Sequence, residues 1–176
     1  MTRSSTAAAV RADAFSRYKS CVDPELDRSL SRFREVLEER FGDDLITLAA
    51  FGSRVRGQAT PESDLDIVLV IRGLPRQRFA RRRLVSPLAH VVGDSFAETV
   101  STIPLTPEEA SRVKPFYLGM LDGHRLLVDR GGFFRRVLDR LERRLEELGA
   151  RRLVDELGNA YWDLKPDYVL GEDIVL

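Results

Sequence analysis

The chain has 176 residues, 28 Lys plus Arg against 28 Asp plus Glu, and 43% hydrophobic residues. That length and apolar content are enough for one domain with a sizeable core, and the neutral charge balance argues against a general polyanion-binding role. The single Cys21 excludes an internal disulfide or a cysteine metal cluster, and with no signal peptide and no apolar run of about 18 residues the expectation is a soluble cytoplasmic protein that avoids membranes.

Residues 1 to 5 read as a loose tail, and Ala7 to Tyr18 as a helix with Val10, Ala14, Phe15 and Tyr18 at helical spacing. Asp23-Pro24 punctuates it. A second helix follows, with Leu26, Leu30, Phe33, Val36, Leu37 and Phe41 as its apolar stripe and Gly42 as its end. Ile46 to Phe51 is an apolar run too short for a helix, hence a buried strand. Gly52 lets the backbone approach a ligand closely, and Ser53 can cap a short helix while offering a hydroxyl. Arg54 and Arg56 follow, and Gly57 ends the small helix. The next strand, Asp64 to Ile71, opens with Asp64 and Asp66, which share a face because side chains two apart on a strand point the same way.

Residues 76 to 92 read as a helix kinked at Pro87. Arg76, Arg78, Arg81, Arg82 and Arg83 make it basic, either as a solvated face or as a contact for RNA, a triphosphate or an acidic partner. Ser95 to Ile103 alternates and predicts a third strand, with Phe96, Glu98 and Val100 on one face. Thr106, Pro107 and Glu109 form a capping-box entry to a helix that Pro115 breaks. Phe116 to Leu121 makes another helical turn, and Gly123 to Asp129 a last short strand. After Gly131-Gly132 comes the clearest helix, with Phe134, Val137, Leu138, Leu141, Leu145 and Leu148 as its buried stripe and Gly149 as its cap. His90 and His124 read as ordinary packed or surface histidines. The aromatic tail carries Tyr161, Trp162 and Tyr168 near Lys165, and reads either as a clamp on the body or as a cover over a ligand.

The stretch 45–71 carries the chemistry. A helix start offers free N–H groups to phosphate, and paired carboxylates need a cation between them. Oxygen-only ligands suit Mg²⁺, which takes one or two carboxylates plus substrate phosphates. Together they point to metal-assisted phosphoryl or nucleotidyl transfer.

Gly52-Ser53, ten intervening residues and Asp64-Leu65-Asp66 resemble the G-S…D-x-D signature of the DNA polymerase β-like nucleotidyltransferase superfamily. The form GSRVRG…SDLDIVLV is most similar to its small stand-alone minimal nucleotidyltransferase branch. The resemblance implies an α+β fold: a small mixed β-sheet of about four strands with helices packed on it, extra N-terminal helices and a long C-terminal helix. Residues 1–42 would be the helical extension, 43–130 the catalytic core, and 131–176 the last helix and aromatic tail of a single domain. The tail resembles a segment of some stand-alone bacterial and archaeal members.

The resemblance also implies a third carboxylate on a strand beside Asp64 and Asp66. Glu98 is the candidate, with Asp94 as its rival. Those three would hold two Mg²⁺ ions, or Mn²⁺ in their place, while Gly52 and Ser53, with Arg54 or Arg56, grip ATP or another NTP. The expected reaction moves a nucleoside monophosphate, AMP foremost, onto a hydroxyl. Minimal members resemble antitoxins that pair with helical HEPN proteins and in some cases modify a tyrosine there, so a HEPN partner is expected, and a homo-oligomer is an alternative use of the last helix. Two other classes fit the same residues. One is a catalytically silent nucleotide- or partner-binding module. The other is an RNA-binding protein using Arg76–Arg83.

Overall fold

The computed structural model describes residues 23–60, 63–156 and 160–176. The helix expected over Ala7 to Tyr18 lies outside these. Helix α1 (Pro24–Phe41) starts where the sequence says it should: the Asp23 carboxylate accepts from the Glu25 N–H at 2.9 Å, and Pro24 takes the first turn, where its missing N–H costs nothing. Leu30, Phe33, Val36 and Leu37 form its buried stripe. Gly42, at φ 52°, turns the chain out of the helix in a conformation that glycine adopts without strain.

A short 3₁₀ turn (Gly42–Asp44) leads into β1 (Leu45–Phe51), buried at all seven positions, as a central strand with both faces covered must be. β2 (Leu65–Ile71) pairs antiparallel with β1, and β3 (Val100–Leu105) pairs parallel with β2. β4 (His124–Asp129) closes the other side of β1, again antiparallel. The sheet order is therefore β3-β2-β1-β4, a mixed four-stranded sheet in an α+β protein. The parallel pair requires a crossover, supplied by α2 (Arg78–Val92) and α3 (Asp94–Thr99).

One sheet face buries Leu48, Ala50, Ile67, Leu69 and Ile71 with α1, α2 and α3. The other buries Ala49, Phe51, Val68 and Val70 beneath α4 (Pro107–Ala110), α5 (Pro115–Leu121) and α6 (Phe133–Glu147). Here Tyr117 sits edge-on to Phe134 at 5.2 Å and donates its hydroxyl to the Ala110 carbonyl at 3.0 Å. Asp129 ties sheet to helix. Its carboxylate accepts from Thr47 Oγ1 at 3.3 Å and from the N–H groups of Phe134 and Arg135 at 2.8 and 3.1 Å, so it caps α6 from the end of β4.

Three sequence expectations change. The strand read over Ser95 to Ile103 divides: Asp94–Thr99 is helical and the strand starts at Val100. The helical turn buries Phe96 against Phe33, with ring centroids 5.3 Å apart, and that packing outweighs an alternation the local sequence shares with a strand. The small helix expected after Gly52-Ser53 is a run of turns over Ser53–Gly57. Its turns are closed by Arg56 N–H to Gly52 O at 3.2 Å, Gly57 N–H to Arg54 O at 3.4 Å and Gln58 N–H to Ser53 O at 2.9 Å, with no continuous helical ladder. Beyond α6 the chain adds an antiparallel hairpin, β5 (Arg151–Val154) and β6 (Ala160–Asp163), outside the main sheet.

The basic stretch of α2 is not uniform. Arg81 is 5% exposed, held by Glu109 at 2.5 and 3.1 Å and by the carbonyls of Pro75 and Pro104. Arg82 and Arg83 face solvent. Among the described residues no helix is long and apolar enough to cross a membrane.

Candidate active site

The site forms where four strand ends meet. His124, Phe51, Asp66 and Ser101 are register partners across β4, β1, β2 and β3, so their side chains leave one face in one row. Phe51 leans onto Phe116 of α5, with centroids 5.7 Å apart, and fills the apolar side of the row. His124 accordingly belongs to packing: its Nδ1–H donates to the Met120 carbonyl at 2.8 Å.

Gly52 follows Phe51 at φ 93°, in a bend laid directly against Asp66. A Cβ at position 52 would lie 2.9 Å from Asp66 Oδ2, closer than real Cβ atoms approach. Glycine therefore suits this position through its backbone conformation, and a methyl group here would also push the Asp66 carboxylate aside. The bend at Gly52 and the Asp66 carboxylate thus lie side by side.

Asp64 stands one residue before β2, exposed, and Asp66 one residue inside it, half-buried. Burial pushes the Asp66 carboxyl above its ordinary range, the Asp64 charge pushes it further, and Arg56 pulls it back. Asp66 is thus coupled electrostatically to both Asp64 and Arg56. Arg56 also donates to the Gln58 side chain at 3.2 Å, which holds it over the turn. Arg54 donates Nε to the Ser63 carbonyl at 2.5 Å, and the Thr60 N–H donates to Ser63 Oγ at 2.9 Å. These bonds secure the loop that delivers Asp64, so Arg54 is engaged in building the site.

Glu98 is placed differently from its expectation. It lies on α3, exposed, with no strand to carry it beside Asp66. Its rival Asp94 is paired with His90 Nδ1 at 3.1 Å on the helix exterior. Among the described residues no group of three His, Cys, Asp or Glu side chains is arranged to hold a metal ion. The neighbour of Asp66 on β3 is Ser101, a pairing that follows from the strand starting at Val100. The donor set, two carboxylates with one of them destabilised as an anion, fits one hard divalent cation such as Mg²⁺. A cavity of about 580 Å³ lined by Val113, Arg140, Leu141 and Leu176, among others, includes none of these residues.

Residues 30–119, which hold Gly52, Ser53, Asp64, Asp66 and Ser101, match the nucleotidyltransferase domain family. The chain belongs to that family. This nucleotidyltransferase is also 29% identical over 119 residues to a protein of Methanocaldococcus jannaschii named "Putative protein adenylyltransferase", an alignment spanning 66% of this chain and 81% of that one. Among solved structures, a toxin-antitoxin with AMP-PNP superposes with a TM-score of 0.47 at 15% identity, over 68% of this chain and 92% of that one. A "putative nucleotidyltransferase" from Sulfolobus solfataricus gives 0.41 at 24% identity, over 64% and 94%.

Proposed function

We propose that the protein transfers a nucleoside monophosphate, AMP from ATP, onto a hydroxyl of a protein acceptor. The observation that carries this is the Gly52 bend packed against Asp66, with Asp64 beside it, inside the matched family region. The archaeal relative, by its name an adenylyltransferase acting on protein, favours AMP and a protein acceptor over other pairings.

Each residue then has a task. Gly52 and the turn after it bring backbone N–H groups and the Ser53 hydroxyl to the outer phosphates, with no side chain between backbone and ligand. Asp64 and Asp66 hold a divalent cation, which when bound supplies the positive charge that ties the triphosphate to the strand and acidifies a nearby hydroxyl. Arg56, already close enough to lower the Asp66 pKa, offers charge to the departing pyrophosphate. The acceptor oxygen bonds to the α-phosphorus in line as the bond to the bridging oxygen breaks. Pyrophosphate leaves, and the hydroxyl proton passes to solvent at the exposed Asp64. Positioning and charge supply most of the acceleration.

The acceptor class that the sequence resemblance favours is a tyrosine on a small helical protein of the HEPN type. The test is transfer of label from α-labelled ATP with Mg²⁺ in a lysate of the source cells. A labelled protein band should appear with the native chain and vanish with Asp64→Asn plus Asp66→Asn. Unchanged labelling in that double variant overturns the proposal. An RNA-binding role is disfavoured because the most central arginine of the basic stretch, Arg81, is committed to Glu109 inside the fold.

A further inference from the structure

The sheet puts a hydroxyl where a second metal ion would need a carboxylate. β2 and β3 run parallel with Asp66 level with Ser101, so both side chains leave the same face of adjacent strands. Ser101 is exposed there. The residue before β3, Thr99, turns its hydroxyl back onto the Ser95 and Phe96 carbonyls at 3.2 and 3.1 Å. In the row His124–Phe51–Asp66–Ser101 the only acid is Asp66. Among the described residues, the two acids expected at the third position stand off the strand: Glu98 is exposed on α3 and Asp94 is engaged with His90.

One Mg²⁺ is satisfied by one or two carboxylates plus phosphate oxygens, which is what Asp64, Asp66 and a bound triphosphate offer. A second ion about 3.5–4 Å away would sit on the acceptor side of the first. Two doubly charged ions at that separation repel strongly and are held only with anionic ligands between and beside them. The β3 side of Asp66 is where such a ligand would have to stand, and a neutral serine stands there.

We propose that this site takes a single divalent cation with its nucleoside triphosphate, and that Ser101 on β3 is the residue that limits it to one. This rests on the nucleotidyl-transfer reading above and narrows it, replacing the two-ion expectation. One consequence is that the acceptor hydroxyl meets no dedicated second cation, so its proton is removed less efficiently and the acceptor's own surroundings matter more.

The experiment counts Mn²⁺ by electron paramagnetic resonance in complexes of the full chain with a non-hydrolysable ATP analogue. The native chain should bind one Mn²⁺ per complex. Ser101→Asp should bind two, and Ser101→Asn, with the same bulk and no charge, should stay at one. Two ions in the native chain overturn the inference while leaving nucleotide binding intact. One ion in Ser101→Asp, with circular dichroism and analogue affinity unchanged, removes Ser101 as the limiting residue. If Ser101→Asp does not fold, the native count alone decides. A native chain that binds neither analogue nor Mn²⁺ sinks the nucleotidyl-transfer reading itself, a result distinct from the others.

Discussion

Under the proposed function Asp66 trades stability for cation binding, and the trade has a sign. Its carboxyl is held above the ordinary range, first by burial and then by Asp64. A carboxyl with a raised folded pKa favours the fold while protonated, and that contribution is lost as pH rises through the folded value. At pH 7 the ionised side chain therefore opposes folding. Asp66→Asn should melt slightly higher than the native chain at pH 7, by under about 1 kcal/mol because the group is half-exposed and screened, with the gain fading toward pH 4. The same variant should show no transfer. A thermal melt across pH checks the first, and a lower melting temperature at pH 7 would contradict it. Gly52→Ala should do the reverse, losing about 1–3 kcal/mol from its positive φ and its collision with Asp66, along with activity. Glu98→Gln should leave transfer within about twofold, since Glu98 is exposed on α3 and outside the row around Asp66.

At this scale the sequence was largely readable. Gly52, Ser53, Asp64 and Asp66 announce themselves because their spacing is a property of the chain alone. Ser101 does not. Its place beside Asp66 comes from the register between β2 and β3, set by where α3 ends. No local pattern separates a strand starting at Ser95 from one starting at Val100 when Phe96 is buried in either case.

Among the elements, the α2–α4 junction is where charge does structural work. Arg81 reaches from α2 to Glu109 of the Thr106 capping box, so one carboxylate serves both the helix cap and the buried guanidinium. The Arg81 hydrogen bond holds the Glu109 carboxyl below its ordinary range. Its contribution to stability is thus present above the ordinary glutamate range and disappears as pH falls through the lower folded value. Arg81→Met should cost about 2–3 kcal/mol in urea denaturation, because the Pro75 and Pro104 carbonyls lose their donor as well. Arg82→Ala and Arg83→Ala should stay within about 0.5 kcal/mol. Equal effects at all three positions would show that the buried pair is not special. Five arginines in eight residues look alike in sequence; only the tertiary pairing with Glu109 at the start of α4 singles out Arg81. The capping box itself was legible because its three residues are local.

For the whole molecule, the aromatic tail decides whether the C-terminus serves the site or the fold. The packing favours the fold. Trp162 packs with Leu164 and Leu176 against the core under α5 and α6, and Arg152, its partner on β5, pairs with Asp122 at 2.8 Å. Lys165 is engaged with Glu172, whose carboxylate holds it protonated above its ordinary range. The Arg144 Nε donates to the Val175 carbonyl at 2.9 Å, fastening the last residues to α6. Neither Trp162 nor Lys165 belongs to the row around Asp66. A clamp and a nucleotide cover make different predictions. Under the clamp, Trp162→Ala loses about 2–3 kcal/mol of apolar burial, yet the KM for ATP stays unchanged when measured well below the melting temperature. Trp162→Phe sharpens the case. The indole N–H is buried without a hydrogen-bond partner among the described residues, so removing it forfeits no bond and should change stability by less than about 1 kcal/mol. If instead Trp162→Phe raises the KM several-fold with the melting temperature unmoved, the indole acts on the nucleotide, and the tail belongs to the active site.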